Sequence, residues 1–493
     1  MKMRLVWIIC LLAALICSVS IFCKMDAMKF NGLRVLTTDR LVQITDGLAE
    51  MSTPEIVTKL ITLDGEAIPY DIISNTFYVS QSAEKDNYAG TFASVGKDCS
   101  IYLQSDIALK DKQAAIAKGY PFHLWFITQE TYSVSDLVFT GLPMISITSN
   151  QGEMSACYEQ GNVIVQNPND HDVITMSIKA SNIIVKTNYN SDTISFKLYK
   201  KGYQEERNLQ LLGLGKHSSW KLYPVSNEDG SLVREMLASY IWNCVCKNET
   251  MQRNMEYAEV IVNGSYQGLY YLAPKIGKGF LNLTESDRAY KLEGQKDNES
   301  TVCEIIGDQD TDQTKIAYRL YERLWEDNNQ NFSSVNIDNY INYHIWMQTV
   351  CGVRNGTEDY YLIAYQNNDT YEYHRMPDRS KYVFGIYPAE IGWQSLQAAE
   401  ALMEDDAYFK IVKIPGNTLS QTITDRWTEL RDGGLDTEMI LQYAYQCKKE
   451  LSESGYIIRQ DCQEDYETAY LTLQHFIRQR MTCLDSYFNI KMK

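Results

Sequence analysis

The sequence predicts an α+β protein in which a β-rich module precedes a larger mixed domain. Short apolar runs separated by turn residues fill positions 40–168 and are typical of a sandwich-like arrangement. Residues 257–272 alternate around Asn263-Gly264, and this pattern predicts a β-hairpin with a type I′ turn. Apolar residues recur with helical spacing over 466–488 and supply the α component. With 493 residues, the chain is expected to form two or three domains.

Composition and charge limit the possible partners and cofactors. The chain is 45% hydrophobic, which is enough for large cores, and its formal net charge of −17 argues against a nucleic-acid partner. Its twelve cysteines are scattered, and the close pair Cys244 and Cys246 has a poor spacing for zinc or for a redox motif. The six histidines are isolated as well. We therefore expect no transition-metal site.

The amino terminus carries a continuous apolar run over residues 5–23, preceded by Lys2 and Arg4. Its length suits a single membrane span, and the positive-inside rule places the bulk of the chain outside the cell. Residues 1–24 are thus predicted to be a transmembrane signal anchor. A signal peptide removed near residues 18–20, with secretion of the rest, stays an alternative, and so does a buried helix of a soluble protein.

The β-rich module shows strand patterns but no catalytic constellation, so a surface adhesion or spacer role is its natural interpretation. Its short β runs are rich in branched and aromatic residues and are bounded by turn residues. The predicted strands cover 56–63, 77–79, 100–103, 122–127 and 144–147.

Three motifs follow one another between Trp220 and Ile276. A tryptophan-led strand comes first, then a helix start in which Asp229 or Ser231 caps the orphan amides, then the Asn-Gly hairpin. In this order and spacing they resemble the spore-coat-protein-H (CotH) kinase family, and the resemblance covers residues 172–490. It implies an atypical protein-kinase-like fold that phosphorylates proteins with ATP and magnesium.

Several arginines are expected to hold the domain together. The helix start places Arg234 in the domain interior, where we expect a neighbouring carboxylate. Arg426, Arg431 and Arg459 are likewise expected to pin helices through carboxylates rather than to meet a substrate.

The resemblance also indicates where the chain departs from active members. The paired lysines that reach the nucleotide phosphates in the family fall on Thr193 and Ile194 here, and Lys186 and Lys197 are the basic residues left nearby. A phosphate clamp needs positive charge at close range. The candidates for contact with the nucleotide are Lys186, Lys197, Arg234, Lys275, Arg379 and Lys381.

The predicted catalytic loop offers Asp359 or Glu358 as the base that takes the substrate hydroxyl proton. In the metal segment, which we align through Pro377, the positions of the two metal carboxylates are taken by Arg379 and Lys381.

Two candidates for a metal ligand remain. Asp378 lies one place early in this alignment, and a second alignment offers Glu390 alone. Neither alignment restores the pair of carboxylates.

We therefore expect a CotH-type kinase-fold protein of the bacterial cell envelope that is catalytically degenerate. Two alternatives remain open. One is an active secreted or surface Ser/Thr protein kinase using ATP and magnesium, and the other is a non-catalytic scaffold that binds an envelope or spore-coat protein.

Overall fold

The computed structural model describes nineteen segments of the chain. No helix within them is long and apolar enough to cross a membrane. The apolar run at 5–23 lies outside the described residues. The described residues are 29–53, 61–63, 66–82, 91–94, 98–149, 159–168, 177–188, 193–200, 204–246, 251–294, 300–307, 311–326, 332–353, 359–380, 382–387, 399–403, 410–411, 419–461 and 463–488.

The first unit is a mixed sheet with a small second sheet beside it. The large sheet has the order β1-β2-β9-β10-β11-β7-β6 with β3 beside β11, and the small one has the order β5-β4-β8. Phe92 of the small sheet packs into the core of the large one. The strands are β1 Lys29–Phe30, β2 Leu33–Leu36, β3 Ala49–Glu50, β4 Ile61–Leu63, β5 Glu66–Ala67, β6 Tyr70–Asp71, β7 Thr76–Ser80, β8 Phe92–Ser94, β9 Ser100–Gln104, β10 Pro121–Ile127 and β11 Thr131–Thr140.

A closed barrel follows, in the order β12-β13-β14-β15-β18-β20-β19, with Trp220 and Phe196 in its interior. Two of its strands precede the boundary that we predicted between 168 and 172, so the barrel spans that boundary. The strands are β12 Met144–Ser149, β13 Glu159–Gln166, β14 Ser177–Asn188, β15 Thr193–Leu198, β18 Ser219–Pro224, β19 Glu256–Val262 and β20 Ser265–Pro274, with β16 Leu209–Gln210 and β17 Lys216–His217 as a separate ribbon.

The rest of the chain adds an antiparallel four-stranded sheet of order β22-β21-β23-β24. These strands are β21 Arg288–Gly294, β22 Ser300–Gly307, β23 Tyr360–Asn367 and β24 Thr370–Pro377.

Helices pack against the barrel and against the four-stranded sheet, and together they enclose the largest core. In this core Trp242 and Trp346 meet edge to face. The α+β class is confirmed. The described helices are α1 Thr38–Thr45, α2 Lys112–Ala117, α3 Arg234–Val245, α4 Thr311–Leu324, α5 Ile337–Val350, α6 Leu419–Asp432, α7 Thr437–Glu453, α8 Tyr456–Arg459 and α9 Gln463–Tyr487, with a 3₁₀ turn at Ile107–Lys110.

The local motifs form as predicted, with one shift. Asn263 and Gly264 both have positive φ, 49° and 77°, as a type I′ turn requires. Asp229 accepts a hydrogen bond from the amide of Arg234 at 2.9 Å, so the aspartate is the residue that caps the helix. The helix itself begins only at Arg234, because Leu232 adopts a left-handed conformation with φ of 58°.

The first unit is joined to the helices by one fully buried carboxylate, that of Glu259 on β19. Arg459 at the end of α8 lies 2.5 Å from this carboxylate, and the hydroxyl of Tyr266 donates to it at 2.5 Å. Thr140, the last residue of β11, donates to the same carboxylate. Glu259 therefore connects the module, the barrel and the helical part in a single network.

The backbones of the module and the helices also approach closely here. The amide of Gly141 donates to the carbonyl of Ser454 at 3.1 Å. Gly455 has a φ of 78°, and a Cβ there would lie 2.0 Å from the carbonyl oxygen of Ile116. Only glycine fits this position without displacing backbone. The module thus packs closely against the helices at this point.

Replacing Arg459 with alanine should lower the free energy of unfolding by about 3–5 kcal/mol, because the change leaves the buried charge of Glu259 unpaired. Urea denaturation of the full chain measures this loss. Arg478→Ala is the matched control, since Arg478 pairs with Glu438 where both side chains are exposed, and it should leave stability nearly unchanged. Equal losses in the two variants would contradict the role assigned to Glu259.

Candidate functional site

The ends of three adjacent strands meet at one edge of the four-stranded sheet and bring together two aspartates from the predicted loop and metal segment. Asp359 precedes β23, and Asp378 follows β24. The amide of Asp378 donates to the carbonyl of Asp359 at 3.0 Å, and the amide of Asp359 donates to the carbonyl of Leu292 on β21 at 3.0 Å. Asp359 adopts a left-handed conformation with φ of 59°, which turns the chain into the strand.

Asp378 is buried and lies in an ion pair. The Nζ of Lys291, on β21, lies 3.0 Å from its Oδ2, and the Nη1 of Arg253 lies 3.9 Å from its Oδ1. Burial alone would raise the pKa of Asp378, but Lys291, Lys221 and Arg253 outweigh it and hold that pKa well below its usual range. The carboxylate is therefore ionised at neutral pH and compensated by neighbouring cations.

The next residue, Arg379, is bound to helix α3. Its Nη2 and Nε lie 3.2 and 3.4 Å from the two carboxylate oxygens of Glu235, and Nη2 also donates to the carbonyl of Pro224 at 3.0 Å. Burial would lower the pKa of Arg379, yet the charge of Glu235 raises it. This two-pronged geometry is the strong form of an arginine–carboxylate pair.

Three cations gather around the ring of Tyr223 on β18. Lys221, Arg379 and Arg253 lie 4.7, 5.3 and 5.8 Å from its centroid. Together with Lys291, these cations outnumber the two carboxylates beside them. We call the following six residues the ionic cluster: Lys221, Glu235, Arg253, Lys291, Asp378 and Arg379. Its charges sum to a positive value in a largely buried part of the domain.

Comparison with known proteins agrees with this architecture. The family model described as CotH kinase protein matches residues 186–484, which is more than half of the chain. The chain belongs to the CotH kinase family. A comparison with curated proteins found no match. The matched region contains the whole ionic cluster.

Arg234 of this CotH-family chain lies beside a carboxylate in the interior, which confirms our expectation. Its Nη1 lies 2.5 Å from Asp229 and 2.7 Å from the hydroxyl of Ser231, and its Nε donates to the carbonyl of Phe384 at 3.3 Å. These contacts tie the start of α3 to the segment after Asp378. A direct role in nucleotide binding stays a prediction.

Two of the three expected arginine anchors near the carboxyl terminus, Arg431 and Arg459, are confirmed, whereas Arg426 pairs with a carboxylate of its own helix and reaches α5 through an amide. Arg431 pairs with Asp485 at 2.9 Å and links α6 to α9. Arg426 pairs with Glu429 and donates to Asn342 on α5.

The lysines predicted to contact the nucleotide phosphates are not found in the ionic cluster of the described residues. Lys197 pairs with Glu206 at 2.5 Å and Lys275 pairs with Glu304 at 3.5 Å, both in partly exposed positions. Lys186 lies on β14 opposite Ser195 in register. Within the segments that the structure describes, these ion pairs of Lys197 and Lys275 do not involve a member of the ionic cluster. Glu358, Lys381 and Glu390 lie outside the described residues.

Four members of the ionic cluster escaped the sequence reasoning: Lys221, Glu235, Arg253 and Lys291. Lys221 and Lys291 each interrupt a largely apolar strand, which is a usable signal for a buried or clustered charge. Glu235 follows Arg234 directly, so the helix start already placed it near the site. Arg253 lies in a polar connection and offers no signal of its own.

The described residues do not fit a magnesium site. Magnesium in kinases is held by carboxylate or amide oxygens together with phosphates. In the segments that the structure covers, no group of three or more His, Cys, Asp or Glu residues is placed to hold a metal ion. Asp378 shares its surroundings with Lys291, Arg253 and Lys221, and Glu235 is engaged by Arg379. A divalent cation at this point would meet like charges.

Arg234→Ala should destabilise the protein by about 3–5 kcal/mol, because it leaves the buried carboxylate of Asp229 without its cation. Urea denaturation measures the effect. Arg319→Ala on the exposed surface of α4 is the control and should change stability by less than about 0.5 kcal/mol. A stability loss for Arg234→Ala no larger than that of the control would refute the anchoring role.

Proposed function

We propose that the chain is a catalytically degenerate kinase-fold protein that binds a nucleotide or another phosphate-bearing anion without magnesium. The observation that carries the proposal is the buried pair between Lys291 and Asp378, at 3.0 Å, in the segment where active members hold the metal. A lysine in this place supplies internally the positive charge that a metal ion would bring.

The net charge of the ionic cluster favours an anion. The six side chains of the cluster carry four positive and two negative charges, and a buried anion would meet less water competition than one at the surface. Lys221 and Lys291 offer ammonium groups, and Arg253 offers a planar fork suited to phosphate oxygens. Because the chain as a whole is acidic, this local excess of positive charge is a specific feature of the ionic cluster.

Location and partners follow from the sequence. The apolar run at 5–23 supports a single-pass protein of the bacterial cell envelope with its domains outside, or a secreted protein if that run is cleaved. There the degenerate kinase fold would act as a binding scaffold, and an envelope or spore-coat protein is the proposed partner. The module, which packs against the helices, adds surface for such a partner and supports a scaffold role.

An active protein kinase using ATP and magnesium is the second candidate, and one observation favours it. Asp359 and Asp378 are joined by a backbone hydrogen bond of 3.0 Å, and Oδ1 of Asp378 has no hydrogen bond in the described part of the chain. A free carboxylate oxygen beside a second aspartate is what a metal ion and an attacking hydroxyl would need. The positive charge around Oδ1 nevertheless favours the first proposal, a catalytically degenerate protein.

We expect ATP to raise the melting temperature of the purified protein by the same amount in the presence of magnesium and in the presence of EDTA. The ionic cluster rather than a metal would hold the phosphates. Asp378→Asn should then strengthen ATP binding by about threefold or more, because it removes a negative charge from the cleft. Asp369→Asn, at the exposed turn at the other end of the same strand pair, should have no effect.

Transfer of labelled phosphate from ATP to the protein itself or to casein tests the second candidate in the same preparation. The proposal predicts no transfer. Magnesium-dependent transfer that disappears in both Asp359→Asn and Asp378→Asn would show instead that the kinase is active.

A further inference from the structure

A cavity lies along the face of helix α3 next to the one that carries Glu235. It has a volume of about 430 Å³, which is in the range of small-molecule sites. Successive turns of α3, the connection before β19, the turn near Gly213 and one residue of α7 form its walls. The residues used below are Met236, Ser239, Tyr240, Arg253, Glu256 and Tyr443.

One wall of the cavity is aromatic. Tyr240 of α3 and Tyr443 of α7 stack with ring centroids 4.2 Å apart and an angle of 11° between the rings. Met236 extends this apolar surface one turn earlier along α3. Stacked rings of this kind attract cations over their faces and pack well against alkyl chains.

The cavity also contains a carboxylate without a counter-charge. The side chain of Glu256 has no hydrogen bond or ion pair to any other described residue, and the charged group that acts on its pKa is a second carboxylate, Glu450 on α7. Burial, and then the charge of Glu450, raises the pKa of Glu256 to about 7. Burial likewise raises the pKa of Glu450 to about 7.

The other titratable groups whose pKa values are shifted by Glu256 or Glu450 are not cationic. They are Tyr257, Tyr443 and Cys447. Among the described lining residues Arg253 is the one cation, and its guanidinium points to Asp378 and to the carbonyl of Pro377. The cavity thus offers a half-buried negative group beside an aromatic wall.

We propose that this cavity binds a small organic cation, an alkylguanidinium or alkylammonium compound, with its charge on Glu256 and its alkyl part against Tyr240 and Tyr443. Carboxylate and aromatic faces together form the usual recognition surface for such cations. The bound cation would supply the charge that Glu256 and Glu450 lack.

The position of this site couples it to the ionic cluster. A narrow crevice that shares Ser239 and Arg253 with the cavity reaches Asp378. The carbonyl of Arg253 accepts a hydrogen bond from Ser239 at 2.5 Å, which fixes the connection against α3. A cation bound in the cavity would therefore stabilise the helix that also holds Arg379 through Glu235.

Isothermal titration calorimetry on the full chain, with butylguanidinium as the probe and neutral butylurea as its isostere, tests the proposal. We expect butylguanidinium to bind and butylurea not to bind. Affinity should rise from about pH 6 to about pH 8, because the carboxylate ionises near pH 7 and only the ionised form attracts a cation. Glu256→Gln should weaken binding roughly tenfold or more.

Two further variants complete the test. Glu453→Gln removes an exposed carboxylate from the same helix as Glu450 and should leave binding unchanged. Tyr443→Leu keeps Glu256 but removes one ring of the wall and should weaken binding by about threefold or more. No binding by the unmodified protein, equal binding of butylurea, or a flat pH profile would each overturn the proposal even if Glu256→Gln failed to fold.

Discussion

The burial of one carboxylate, that of Asp378, constrains the whole centre of the domain. A buried ionised group is tolerated only when opposite charges and hydrogen bonds replace water. Lys291 at 3.0 Å meets most of this demand, and Arg253 and Lys221 lie near enough to add to it. Because the carboxylate is ionised on folding, its contribution to stability is present at neutral pH and is lost only as the pH falls below about 4.

Helix α3 carries this centre and links it to the rest of the molecule. Its first turn holds Arg234 against Asp229 and Glu235 against Arg379, so it connects the segment before the helix with the segment after β24. A neighbouring face of the same helix forms one wall of the cavity proposed to bind an organic cation. The buried network around Glu259 fixes the module and α8 onto the barrel in the same way. Paired charges, rather than apolar packing alone, set how the parts meet.

The sequence predicts the local elements well because their signals are local. The strands predicted at 77–79, 100–103, 122–127 and 144–147 are all present, and so is the Asn-Gly turn. The helix predicted at 466–488 is present as Gln463–Tyr487.

The ionic cluster was harder to predict, since Lys291 and Asp378 are far apart in sequence and meet only when β21, β23 and β24 align. The spacing of residues along the sequence does not show which strands pair in the sheet. For the same reason the predicted module, 40–168, includes residues 144–149 and 159–166, although these form two strands of the barrel.

The central claim, that Asp378 is neutralised by protein cations and holds no metal, is tested most directly by electron paramagnetic resonance of Mn²⁺ titrated into the protein with a non-hydrolysable ATP analogue. The account predicts that Asp378→Asn leaves the amount of bound Mn²⁺ unchanged. One equivalent of Mn²⁺ bound by the unmodified protein and lost in Asp378→Asn would contradict it.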